Sequence, residues 1–542
     1  MMAAASSRAA ASLDPFRIGL ASGWKVIDAS TLALDLTLDA DVVIVGTGAG
    51  GGTAAEILSD AGLHVVLVEE GPLATSSDFH MREAEAYSQL YQESSARKTK
   101  DRAINILQGR CVGGGTTVNW TSSFRTPAAT LEHWAREFDI RGFSAADLAP
   151  WFARVEQRLG ISPWLAAANE NNSALRRGAK VLGISSGEIQ RNVKGCWNLG
   201  YCGMGCPTNA KQSMLVTTIP AALAQGATLV TRARAWTIEH DHARATSLYC
   251  VGLDPGGTDP TARKITVRAP TFIVSAGAIG SPALLIRSKA PDPHGTVGKR
   301  TFLHPTVVSA ALMPDRVDGF AGAPQTIYSD HYLELPPEGP LGYKLEAPPL
   351  HPILVATTLP GHGVAHANWM RELAHMHVLI ALMRDGFHPR SPGGSVGLDS
   401  DGSPVLDYRL DEFFWEGARR AFASMAEIQF AAGAKTVMPL HAMAASYSSW
   451  PAAKAGIAAL ALEPLQASVV SAHVMGGCPL GPDPKRAVTD PSGRHHHLEN
   501  LYVFDGSLFP TSVGANPQLS IYGITAKLAT ELAARLKLRR LG

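Results

Sequence analysis

Charge of one sign is missing. The 48 lysines and arginines meet 47 aspartates and glutamates, leaving a net charge of +1. That balance gives no pull toward nucleic acid or an anionic membrane, so neither is expected as a partner. Cysteine is scarce as well. Six in 542 residues are too few to staple a chain of this size, and they fit a reducing, cytoplasmic setting. Long apolar runs are also missing. The nearest approach, Ala455 to Met475, is broken by Glu463 and Pro464 and carries His473. No transmembrane segment is expected, and that stretch reads as a buried part of a site. The opening MMAAASSRAAASLDPF lacks both a continuous apolar core and a twin arginine, so it reads as a disordered tail. What remains is a soluble globular composition, 46 % hydrophobic, in a chain too long for one simple core. Two domains or one two-lobed fold are expected.

The first regular element is Asp41-Val-Val-Ile-Val45, an apolar run that suits a parallel strand buried on both faces. Gly46-Thr-Gly48-Ala-Gly-Gly51 follows, then a helical stretch from Thr53 to Ala61 and a second strand from Leu63 to Val68 that ends at Glu69. This is one βαβ unit. Gly46 allows the tight turn, Gly48 lets the backbone approach a pyrophosphate, and Gly51 lets helix and strand pack closely. Helix N-terminal amides then meet the negative charge, and the Glu69 carboxylate accepts hydrogen bonds from a ribose. A dinucleotide site is expected here.

The strand–loop–helix theme returns twice. Thr271–Val274 leads through Ser275-Ala-Gly277 to a helix from Ile279, and Leu501–Phe504 leads into Asp505-Gly506-Ser507. The last helix opens at Asn516-Pro517, with Asn as N-cap and Pro at the first position, and buries Ile524, Leu528, Leu532 and Leu536. Residues 305–460 have another character. Ser395 to Tyr408 reads as a hairpin turning at Asp401-Gly402, and Glu412 to Ala432 as a long amphipathic helix. The region is expected to hold an antiparallel sheet with helices, inserted into the nucleotide domain.

Four blocks in constant order carry a resemblance. They are the glycine loop with Glu69, Gly109 to Trp120 (GRCVGGGTTVNW), Ser275 to Pro282 (SAGAIGSP), and Asp505-Gly506-Ser507 with Val513 to Pro517 (VGANP). Together they resemble the glucose–methanol–choline (GMC) oxidoreductases, and the wording is most similar to the long-chain alcohol oxidase branch. The resemblance implies an α/β fold with a Rossmann-like FAD domain of GMC type and an inserted substrate domain containing an antiparallel sheet. It divides the chain into a lead-in (1–38), an FAD domain (39–150, 207–305 and 465–542) and a substrate domain (151–206 and 306–464). It places Gly113, Gly114, Thr117 and Asn119 against the flavin and its phosphates, where glycine amides form an anion nest. Asp505, Gly506 and Pro517 fall at the ribityl and active-site end, and Ala235 at the adenine. Some members bind FAD covalently through a histidine just before the Asn of the first block. That position is Val118 here, so the FAD is expected to be non-covalent.

Ser471-Ala-His473-Val-Met-Gly-Gly-Cys478 resembles the family's catalytic-histidine segment, and Asn516 matches the second active-site position. The chemistry asks for such a pair. An alcohol gives up its carbon-bound hydride only as its O–H proton departs. An imidazole is a suitable proton acceptor, and an amide holds the oxygen in line. The implied reaction converts a small-molecule alcohol, apolar and aliphatic, to an aldehyde or ketone, with oxygen or another acceptor taking the electrons. Related proteins keep FAD without redox turnover, as hydroxynitrile lyases do. The other histidines read as surface or satisfied core residues, and His495-His496-His497 as a solvated turn, because consecutive residues rarely converge on one ion. Cys196, Cys202 and Cys206 stand apart. Their spacing resembles that of sugar-dehydrogenase subunits in which three cysteines hold a 3Fe–4S cluster and pass electrons to a cytochrome. Three thiolates suit an iron–sulfur cluster, or zinc with a fourth ligand, and a glycine-rich turn of reduced cysteines is the plainer reading, which the alcohol-oxidase wording favours.

Overall fold

A computed structural model describes residues 14–541, apart from 242 and 334–338. Residues 1–13 of the expected tail lie outside the described residues. Its last residues are structured: Asp14 caps the helix Pro15–Ala21, and Phe16 is buried.

Six parallel strands form the nucleotide sheet, in the order Lys25–Asp28, Thr228–Thr231, Val65–Val68, Val42–Val45, Thr271–Val274, Leu501–Val503. The VVIV, VVLV, TLVT, TFIV and LYV strands are buried at every position, as a sheet covered on both faces requires. Each strand's exit loop is latched to its neighbour. Gly46 N–H donates to Val68 O, Ser275 N–H to Val45 O, and Phe504 N–H to Val274 O. All four nucleotide blocks therefore meet outside the carboxyl ends of the strands, where open α/β sheets bind their ligands.

The helices begin earlier than the sequence suggests. The first runs Ala49–Asp60 with Gly48 as its cap, and the second runs Gly277–Arg287. Propensity argues against glycines in a first turn, but close packing overrides it. A Cβ on Gly50 would lie 1.7 Å from Phe504 O, and one on Gly51 2.0 Å from Gly46 O. Only glycine lets these backbones touch.

The second large sheet is built on Thr306–Leu312 paired antiparallel with Met376–Met383, in register from Thr306↔Leu382 to Leu312↔Met376. Alternation divides its two faces. Val307, Ala311, Leu379 and Ala381 join the core that includes the helix Glu412–Ala431, and Asp411 caps that helix. Val308, Ala310, Val378 and Ile380 face the other way, into a cavity. The strands Ile104–Ile106 and Val469–Ser471 extend this sheet at one side, and Tyr343–Glu346 extends it at the other. The hairpin of Gly394–Leu398 and Pro404–Asp407 forms as expected. It pairs not with this sheet but with Lys299–Phe302, in a four-stranded sheet of its own.

Gly50 gives a direct test of the contact that holds the sheet's loops together. Gly50→Ala should cost about 1–3 kcal/mol by overpacking, read as a lower urea midpoint at unchanged slope. A wild-type midpoint would show that the first and last loops part freely.

Candidate active site

The loops at the sheet's carboxyl edge and the apolar face of the second sheet enclose one cavity of about 1420 Å³. That exceeds the ~300–1,000 Å³ of an ordinary small-molecule site and suits a dinucleotide together with a substrate. Gly46, Gly48, Glu69, Gly114, Asn119, Ala235, Asp505, Gly506 and Pro517 line it, as do His473 and Asn516. Gly51, Gly113 and Thr117 lie behind the wall and shape it. Gly113 N–H donates to Thr47 Oγ1, and the Thr117 hydroxyl turns inward to Val112 O. Thr117 is thus a brace for the loop and not a lining residue.

The wall fits FAD. Gly114 has φ +52° and packs on Gly48, where a Cβ would sit 2.8 Å from Gly48 Cα. Gly48 offers the helix Ala49–Asp60 no side-chain cap, so the first-turn amides point outward with no intrahelical partner. Glu69 is buried, and three donors already hold its carboxylate: Thr47 N–H, Thr47 O–H and Gly71 N–H. It organises the loop that a ribose would approach. Asp505 does the same at the far end. Its Oδ2 takes Gly277 N–H (2.8 Å) and the Ser281 hydroxyl, and its Oδ1 takes Ser507 N–H (2.8 Å). Burial pushes both carboxyls up, and these hydrogen bonds oppose it. Trp120 Nε1, Thr121 Oγ1 and Ser122 Oγ line the same cavity and are buried without a partner, so polar atoms are left for a bound group.

His473 follows the strand Val469–Ser471, and Asn516 precedes the helix Gln518–Leu541. Two residues 43 apart in the last part of the chain thus meet, with Asn516 Nδ2 3.5 Å from His473 Nε2. The helix starts at Gln518, so Pro517 and not Asn516 holds the cap position, and the Asn516 side chain does not take the capping role read from the sequence. It faces His473 and Glu346, whose Oε2 is 3.4 Å away. His473 lines the cavity, yet it is enclosed deeply enough that burial, aided by Lys344, pushes its imidazole down to about 4. Burial holds Glu346 above the usual carboxylate range, and its Oε1 has no partner. A second histidine backs the first: His304 Nδ1 is 3.2 Å from His473 Nδ1.

Sequence reasoning missed His304, Glu346 and Lys344. No spacing motif ties them to His473; only the pairing of Thr306 with Val470 brings the turn at His304 beside the turn at His473. The His495–His497 run is not a solvated turn. His495 is 1 % exposed, bridges Thr489 and is pushed down to about 4 by burial, while His496 Nε2 contacts Gly481 O. The three cysteines are free thiols on one loop. Arg191 Nη2 approaches Cys202 Sγ, and Lys211 N–H approaches Cys206 Sγ. Among the described residues no group of three or more His, Cys, Asp or Glu side chains is placed to hold a metal ion. Nor is any described helix long and apolar enough to cross a membrane.

Comparison with known proteins agrees with this geometry. The GMC oxidoreductase N-terminal model matches residues 87–306, and the C-terminal model matches residues 389–525. A GMC-type oxidoreductase of Mycobacterium tuberculosis is 30 % identical over 92 % of this chain and 76 % of its own. A long-chain-alcohol oxidase of Arabidopsis thaliana is 26 % identical over 93 % of this chain and 70 % of its own. Formate oxidase of Aspergillus oryzae superposes with a TM-score of 0.70 at 15 % identity, covering 93 % of this chain and 100 % of its own. The chain belongs to the GMC oxidoreductases. It is an FAD oxidoreductase of that family.

The low pKa of His473 has a consequence for stability. An unfolded chain protonates this ring near ~6.5, while the folded chain keeps it neutral down to about 4. Between those values the unfolded state binds more protons, so this residue's contribution to stability is lost as the pH falls. Urea unfolding of wild type and His473→Gln should show a wild-type advantage that shrinks from pH 6.5 toward pH 4. An advantage that is flat over this range would mean that the ring is already hydrated like a surface histidine.

Proposed function

We propose that this protein oxidises the CH–OH group of an apolar, aliphatic alcohol to an aldehyde or ketone, with non-covalent FAD and direct reoxidation by oxygen or another small acceptor. One observation carries the reading: the His473–Asn516 pair opens onto a cavity whose far wall is hydrocarbon. Val308 and Ala310 face it from one strand, Val378 and Ile380 from the next, and Leu350 and Leu359 from the segment around the helix Pro352–Thr358. An alkyl chain buried there gains roughly 0.8 kcal/mol per CH₂, while its hydroxyl end meets the polar pair. FAD, when bound, supplies the two-electron acceptor for the alcohol's carbon-bound hydrogen. His473 and Asn516 engage the alcohol oxygen as its proton departs. The long-chain-alcohol oxidase among the relatives supports both the apolar substrate and the oxidase character. Val118 lines the cavity where a linking residue would stand, and its side chain has no atom that could bond a flavin.

Acid precipitation of the purified yellow protein should leave its flavin in the supernatant as FAD. Flavin that stays with the pellet would overturn the reading of Val118. Anaerobic addition of a medium- or long-chain primary alcohol should bleach the flavin, which a lyase or a structural flavin would not show. His473→Ala should slow that bleaching by on the order of 10²-fold with FAD content unchanged. Bleaching at the wild-type rate would place the chemistry elsewhere.

A further inference from the structure

We propose, taking its oxidant from the alcohol-oxidising reading above, that Cys206 is a peroxide-reactive thiol whose oxidised sulfur Cys202 captures as a disulfide.

Two buried cations flank the cysteine loop. Arg191 is 1 % exposed and Lys211 2 %. Among the described residues neither is paired with a carboxylate. Arg191 Nη1 donates to the carbonyls of Pro324 and Gln325, its Nη2 lies 3.8 Å from Cys202 Sγ, and its Nε has no partner. Lys211 Nζ donates to the carbonyls of Thr117, Asn119 and Cys202. Burial pushes both cations down, and the groups that oppose it are thiols: Cys202 and Cys196 at Arg191, Cys202, Cys206 and Cys111 at Lys211. A buried cation without a counter-charge is costly, and a thiolate beside it lowers that cost.

Cys206 is the sulfur best placed to be that thiolate. The Lys211 backbone N–H donates to its Sγ at 3.5 Å, and the Thr208 hydroxyl is also 3.5 Å away. Burial works against its charge, yet these hydrogen bonds bring the thiol below its ordinary range. Burial pushes Cys196 the other way. Cys196, Cys202 and Cys206 are partly exposed, whereas Cys111, Cys250 and Cys478 are buried and pushed up.

Cys202 opens the short 3₁₀ turn Cys202–Met204, and Gly205 follows at φ +84°, which glycine adopts readily. Lys211 joins both ends of this segment: its ammonium holds the Cys202 carbonyl, and its amide meets the Cys206 sulfur. The loop also packs on the cavity. Gly203 lies against Trp120 of the cavity wall, where a Cβ would sit 2.8 Å from the indole, and Tyr91 of the same wall donates to Gly203 O at 2.6 Å. Hydrogen peroxide forms where oxygen reoxidises a reduced flavin. The thiols stand one layer of side chains behind that place.

The Cys206 thiolate attacks one oxygen of peroxide. The S–O bond forms, the O–O bond breaks, and the hydroxide takes a proton to leave as water. The Cys202 sulfur then attacks the Cys206 sulfur. The S–S bond forms, the S–O bond breaks, and the oxygen leaves with the Cys202 proton as a second water. Two electrons pass from the sulfurs to peroxide.

Chymotryptic cleavage after Tyr201 and tryptic cleavage after Lys211 release residues 202–211, which carry this pair and no other cysteine. Reduced holoenzyme is treated with hydrogen peroxide, then with N-ethylmaleimide, and the fragment is weighed by mass spectrometry. It should be unalkylated and lighter by two hydrogens, and dithiothreitol should restore its alkylation. A fragment with both thiols alkylated overturns the proposal, and so does iron that blocks alkylation in protein purified without air. In Cys202→Ser with peroxide, dimedone should label Cys206 roughly tenfold faster than in the same peptide free in solution. Equal rates would remove Cys206 from the role, and the wild-type fragment decides alone if this variant does not fold. Alcohol and air should give the same disulfide, and catalase should prevent it. A disulfide with added peroxide but not with alcohol in air supports the thiol pair and counts against oxygen as the flavin's acceptor. No disulfide under either condition overturns the pair.

Discussion

The structure depends on backbones that touch where side chains would keep them apart. Three loops from the beginning, middle and end of the chain converge on the carboxyl edge of the parallel sheet. Gly46 leaves room for Ser275 O, which a Cβ would meet at 2.3 Å, and Gly50 leaves room for Phe504 O. Gly114 rests on Gly48 in the same way. These contacts leave glycine backbone and the uncapped first turn of the helix Ala49–Asp60 at the cavity wall. A negatively charged pyrophosphate needs that kind of surface, because amide donors reach it only when nothing stands between. Asp505 then ties the middle loop to the last one through Gly277 and Ser281. A carboxylate buried at that junction is tolerable only because each oxygen is supplied with donors.

The second sheet solves a different problem with period-two alternation. Its strands must bury one face against the helix Glu412–Ala431 and leave the other as the wall of a binding site. Val307 and Val308 stand side by side in the sequence, yet one belongs to the core and the other to the cavity. Antiparallel pairing at the edge of this sheet also sets the chemistry. Thr306 lies opposite Val470, so the turn that carries His304 and the turn that carries His473 end at the same level. One set of hydrogen bonds between strands thereby fixes both the apolar wall and the two rings at its polar end.

Much of this was legible in the sequence, and the limits have physical causes. The buried strands of the nucleotide sheet announce themselves as unbroken apolar runs, and the glycine loops as positions where propensity is given up for contact. Val42–Val45, Val65–Val68 and Thr271–Val274 fall where the runs fall. The helix starts were misjudged by several residues because propensity places glycine outside a helix, and here packing places it inside. Asn516 was read as a cap from its position before Pro517; the helix starts one residue later, at Gln518, and the Asn516 side chain faces Glu346 and His473 instead. His495 looked solvated because polar runs usually are, yet the strand Leu501–Val503 and residue Thr489 enclose it. His304 and Glu346 had no local signature. His304 precedes the apolar strand Thr306–Leu312 and Glu346 ends the strand Tyr343–Glu346, and only long-range pairing brings them to His473 and Asn516.

The cysteine loop is bound into the same design. Lys211 is 2 % exposed, and its ammonium donates to the carbonyls of Thr117, Asn119 and Cys202. Burial pushes it down to about 8, against the pull of Cys202 and Cys206. Tyr91 adds a second tie, donating to Gly203 O at 2.6 Å. The segment from Thr117 to Asn119 faces the cavity on one side and the cysteine loop on the other, and one cation joins them. Asn119 in turn donates to Gln518 at 2.7 Å, at the start of the last helix and two residues beyond Asn516. The position of the Asn516 amide is thus continuous, through Gln518, Asn119 and Lys211, with the backbone of the loop that carries the thiols. A buried cation whose partners are mainly carbonyls holds that geometry only while all of them stay in place. Any change that moves the Cys202 carbonyl is therefore felt along the wall of the active site.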